Sequence, residues 1–200
     1  MITNMHHDKE TLFAYLSIHD FFDIYLLEDA IHYLHTILKA AGSGKIWKKG
    51  YPYSALHFIQ QLEILNKTAF YINTQYTGRE NARIPKEQQT ENPPLELLQA
   101  CTGRRVGENF FTCFPRHLTL QQLYDPFLAI KSYCSYRSET GWKTTFADIL
   151  EYTLTARPIN DLHPPYHLLN IQRHLSRLLE ALHLLELRVN SKMKEGKNEE

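Results

Sequence analysis

Thiols are scarce in this chain. Its 200 residues hold three cysteines, Cys101, Cys113 and Cys134, at wide spacings and with no Cys-x-x-Cys pair. A disulfide framework and a thiolate zinc site are both disfavoured by that pattern, and reduced thiols fit a cytoplasmic protein. An excess of basic charge is missing too: 22 Lys and Arg balance 22 Asp and Glu. Nucleic-acid binders usually carry a surplus, because phosphate contacts supply most of their affinity. Nucleic acid is therefore not favoured, although RNA is not excluded. No apolar run reaches the length of a membrane span, and MITNMHHDKETLFAYL lacks the basic start and apolar stretch of a signal peptide. The eight glycines form neither G-x-x-x-x-G-K-[ST] nor G-x-G-x-x-G, and there is no G-x-S-x-G.

What the chain does have is helical periodicity. Ile24, Leu27, Ile31, Leu34 and Leu38 recur at spacings of 3 and 4, predicting a helix from an Asp20 N-cap to the stop at Gly42 and Gly44. A second helix opens near Pro52 and carries Phe58, Leu62, Leu65, Ala69, Ile72 and Tyr76 on one face. Thr119 and Gln122 form a capping-box pattern for a helix to about Arg137, and Thr145 with Asp148 suggests another through Thr155. The last helix, from about Pro165, repeats Leu168, Ile171, Leu175, Leu178, Leu182, Leu185 and Val189, the seam of a bundle or coiled coil. The predicted fold is all-α: a bundle of four to six helices with an irregular, loop-rich insertion around residues 78–118. Residues 1–190 read as one helical domain and 191–200 as a charged flexible tail. His6 and His7 fall in a start read as unstructured.

Three groups of residues could carry chemistry. Glu28, His32 and His35 form a stripe along the edge of the first helix's apolar face. There they could hold a divalent metal, or work as an acid–base pair with His57 or Glu63; otherwise they are polar boundary residues. Glu180-x-x-His183, followed by Glu186, is similar to the ligand motif of ferritin-like diiron bundles. The heptad places Glu180 and His183 on the outer side, however, and no second Glu-x-x-His helix is present. No cofactor is predicted beyond that possible metal.

The stretch ARPINDLHPPYH, 156–167, holds Arg157, His163 and Tyr166. Arg157 and His163 resemble the R-x(4–6)-H motif of HEPN ribonucleases. That resemblance implies metal-independent cleavage of RNA across a homodimer. Pro158, directly after the arginine, departs from the polar residue the family usually has there. The prolines also describe a rigid elbow, with Pro158 closing one helix, Pro164 and Pro165 launching the next, and Asn160 or Asp161 making turn bonds. Loop aromatics supply a third possibility, contact with bases or a protein partner: Trp47, Tyr51, Tyr53, Phe110, Phe111, Phe114, Tyr133, Tyr136 and Trp142. With no catalytic constellation evident, the expected function is protein–protein interaction, as an adaptor or through self-association as a homodimer. The ribonuclease and metal-binding readings are the alternatives.

Overall fold

A computed structural model describes residues 2–48, 51–75, 84, 114–161 and 167–195, and among them the side chains of 12–48, 51–74, 84, 114–161 and 167–188. The described residues are helical, without a strand. Seven α-helices run in chain order: α1 Ile2–Ile24, α2 Leu27–Ser43, α3 Pro52–Gln75, α4 Leu120–Tyr124, α5 Phe127–Tyr136, α6 Glu139–Leu154 and α7 Leu168–Glu195. A 3-10 turn, Ile159–Asp161, sits between α6 and α7. The predicted all-α bundle is present, with two short helices added to five long ones. Most of the expected insertion, like Cys101, Cys113, Phe110 and Phe111, lies outside the described residues.

Where boundaries moved, local chemistry accounts for it. The first predicted helix is two: α1 ends at Ile24, Tyr25 and Leu26 bridge, and α2 begins at Leu27. The segment read as unstructured, with His6 and His7, is the start of α1. Gly44 ends α2 in the left-handed region, φ 63°, as a glycine C-cap does. The Thr119–Gln122 capping box is formed, but Pro126 splits the predicted helix into α4 and α5. α6 starts at a Ser138 cap rather than at Thr145, which is buried inside the helix and donates to the Gly141 carbonyl at 2.8 Å. The final helix continues to Glu195, through part of the predicted tail.

Packing closes a cycle. α7 lies against α5 and α2, α2 against α6, α6 against α3, and α3 against α5, while α1 bridges α3 and α7. The predicted stripe of α3 points inward, with Phe58, Leu62, Leu65, Ala69 and Ile72 all buried. Trp142, Tyr133, Phe146, Phe21 and Phe58 are the bulkiest buried side chains. Tyr133 and Trp142 stack at 4.4 Å between ring centroids, so these two predicted loop aromatics are core residues. The elbow after α6 is pinned by buried Ile159, and the Asp161 amide donates to the Pro158 carbonyl.

The largest departure from expectation is α7. Every residue from Leu178 to Leu187 is buried. A seam helix shows one apolar face; this one is enclosed on all sides, by α1, α2, α4, α5 and the segment before α4. Glu180 and His183, expected outside, are inside. Leu182→Ala is expected to cost about 2–5 kcal/mol as an unfilled cavity. Leu169→Ala, at a site 79% exposed, should stay within about 0.5 kcal/mol; urea unfolding of the two variants measures the contrast.

Candidate functional site

Three polar residues interrupt the buried half of α7: Glu180 at 0% exposure, His183 at 5% and Glu186 at 1%. Spaced three apart, they form a stripe, and each meets a different neighbour. The His183 ring lies edge-on to Phe22 of α1, centroids 4.9 Å apart. Glu186 binds His19 of α1 through Nδ1 at 3.0 Å, and His19 Nε2 reaches Asp23 at 3.4 Å. Glu180 faces the other way, into the segment 114–118.

That segment wraps the Glu180 carboxylate. The amides of Arg116 and His117 donate to Oε1 at 2.7 and 3.1 Å, and those of His117 and Leu118 donate to Oε2 at 2.8 and 3.0 Å. His117 Nδ1 adds a contact to Oε1 at 2.7 Å. An ionised carboxylate only accepts, so the proton of this bond sits on Nδ1 and Nε2 is left for other partners. Two arginines of α7 complete the clamp on the opposite backbone groups. Arg177 Nε donates to the His117 carbonyl at 3.0 Å, and Arg188 donates to the carbonyls of Leu123 and Tyr124. Leu184 packs on Leu123 between them. The residues that the heptad assigns to the outside of α7 are thus the ones that hold residues 114–124.

Beside the clamp the surface is basic and aromatic. The His174 ring stacks on Tyr136 of α5, centroids 4.1 Å apart at 17°. The Arg137 guanidinium lies 5.6 Å from the Tyr136 ring centre and donates to Thr145 Oγ1. Arg173 is exposed, and Arg177, three residues after His174, is half-buried. Segments 114–124, 126–138 and 167–179 contain no Asp or Glu at all. Among the described residues, neither Arg173 nor Arg177 pairs with a carboxylate.

The two half-exposed histidines are tuned in opposite directions. The hydrogen bond to Glu180 raises the His117 pKa above its ordinary 6.5, against desolvation and the charges of Arg177 and Arg116. Burial, then Arg177 and Arg173, lower that of His174. Opposed shifts on neighbouring titratable groups are the pattern of an acid and a base.

The residues singled out from sequence fare differently. Glu28, His32 and His35 are exposed along α2, and the described residues contain no group of three metal-ligating side chains suited to an ion. His57, offered as their partner, instead bonds Tyr25 through Nδ1 at 2.8 Å. Arg157 is exposed beside Gly44 at the end of α2; His163 and Tyr166 lie outside the described residues. Trp47 is buried, whereas Tyr51 and Tyr53 are exposed. Sequence reasoning missed His117 and His174 altogether. The available signal was LLEALHLLEL, 178–187, apolar on every side of a helix and so a candidate for full enclosure.

The chain matches no known family, no curated protein and no solved structure.

Glu180→Gln replaces an all-acceptor group by one that presents N–H to N–H, so residues 114–124 should loosen, at a cost on the order of 3 kcal/mol. The His117 pKa should fall toward 6.5, read by NMR titration. The signs for stability are opposite. With its folded pKa raised, His117 contributes fully below about 6.5, and that contribution is lost as pH rises through the folded value. His174, lowered, costs stability as pH falls below about 6.5.

Proposed function

We propose that the chain binds single-stranded RNA along the face formed by α5, the first half of α7 and the segment before α4. The observation that carries this reading is the Tyr136–His174 stack bordered by Arg137, Arg173 and Arg177. Rings beside cations offer bases a surface to stack on and phosphates a counter-charge. Local charge, not the net balance, is what a strand meets within a Debye length of about 10 Å. The lack of acids in all three segments supports the same reading. A cytoplasmic setting suits it: Cys134 is a free thiol, and burial pushes its pKa up to about 12, which keeps it unreactive.

A second reading, self-association, draws on α1. Leu12, Phe13 and Leu16 are 57%, 68% and 44% exposed, opposite the buried Ala14, Ile18 and Phe21. An apolar patch on an otherwise amphipathic helix suits pairing with a second copy or another protein.

Fluorescence anisotropy with short labelled strands tests the first reading. Affinity should fall with salt, by a slope of about −0.7 per phosphate contacted. Arg173→Glu with Tyr136→Ala should remove most of it while circular dichroism stays unchanged; wild-type affinity in that double variant would rule the face out. For the second reading, light scattering should find a dimer that Phe13→Asp converts to monomer. A monomer at every concentration would dismiss it.

A further inference from the structure

We infer that this face also cuts the RNA it holds: His174 accepts the proton of a ribose 2′-hydroxyl, His117 gives a proton to the departing 5′ oxygen, and Arg177 clamps the phosphate between them. The inference rests on the RNA-binding reading and adds a reaction to it.

Geometry comes first. Arg177 stands three residues after His174 and three before Glu180 along α7, so it is a neighbour of both on the helix surface. Glu180, which anchors His117, is about 9 Å beyond His174 along the axis at 1.5 Å per residue. His117 is 36% exposed, with Nδ1 committed to Glu180, and its Nε2 is the nitrogen left to donate. The guanidinium of Arg177 is tied to the backbone of His117 through Nε, which fixes its terminal nitrogens relative to both rings. The Arg177 and Arg116 charges oppose the assignment at His117, and Glu180 outweighs them. His117 meets Glu180, Arg177 and Arg116, while His174 meets Arg173, Arg177 and the Tyr136 ring. Their shifts run in opposite directions, favouring the neutral ring at His174 and the charged ring at His117, the sense a base and an acid need.

The step balances without a co-reactant. The 2′ oxygen loses its proton to His174 and forms a bond to phosphorus. The bond from phosphorus to the 5′ oxygen breaks, and that oxygen takes the His117 proton. The products are a 2′,3′-cyclic phosphate and a 5′-hydroxyl, with no water, metal or oxidant consumed. Arg177 neutralises charge gathering on the non-bridging oxygens.

The test uses the full chain in EDTA, with a 2′-O-methyl strand carrying a single ribose. The expected result is a cut after that ribose, leaving a cyclic phosphate, with a rate that peaks in pH and falls on both sides. His117→Asn keeps an N–H for Glu180 but cannot transfer a proton; it and His174→Asn should each lose at least about a hundredfold in rate. Rates are compared at saturating strand, with binding of the all-2′-O-methyl strand measured separately on the wild-type chain. Strand bound but left intact overturns the cleavage and leaves the binding standing, and so does an equal rate in the variants. Failure to bind any strand removes the binding reading itself. Should His117→Asn not fold, the wild-type pH profile decides: a rate that only climbs with pH contradicts the pair.

Discussion

A carboxylate taken wholly out of water survives only where donors replace its hydration. Glu180 meets that condition with three consecutive peptide N–H groups and one imidazole. The arrangement is a nest turned inward: successive amides converge on an anion, and the anion is the protein's own side chain. Because those amides belong to residues 116–118, satisfying the charge and positioning the segment before α4 are one event. Arg177 and Arg188 extend the same logic to the carbonyls of His117, Leu123 and Tyr124. The segment's own apolar contacts, Phe114, Leu118 and Leu123 with Leu184, are joined by polar groups from the most enclosed helix in the fold.

This organisation bears directly on the proposed chemistry. His117 is neither a core filler nor a free surface ring. Its backbone is fixed on both sides, its Nδ1 is bound, and its outer edge faces solvent. A side chain held in that way loses little freedom when it acts, which is the structural meaning of preorganisation. His174 gets comparable definition from its stack on Tyr136. On the proposed reading His174 belongs to both the stacking surface and the reactive pair, so recognition and reaction would share a contact.

Fold class was legible because leucine-type residues recur at 3 and 4 along α2, α3 and α7, and the core follows those stripes closely. Boundaries were less so, as Pro126 and the Tyr25–Leu26 break show: each interrupts a pattern that periodicity alone would continue. The site was not legible. A heptad rule sorts positions into inside and outside on the premise that a helix has two sides, and α7 has no outside between Leu178 and Leu187. The heptad therefore puts Glu180 and His183 in solvent, and the structure buries them. His117 and Glu180 stand 63 residues apart, as do few pairs that a motif search compares. Spacing along one helix finds neighbours on that helix; it cannot find a partner delivered by an irregular segment.

The position of α7 has a further consequence, for biosynthesis. The strut around which the cycle of helices closes is the last of the described elements to leave the ribosome. Until it emerges, α1, α2 and α5 have no common surface to settle on, and residues 114–124 have no carboxylate to gather around. The nascent chain must therefore wait, apolar faces uncovered, until α7 has been made. A protein built in this order leans on whatever shields unfinished chains in the cell more heavily than one whose centre is translated first.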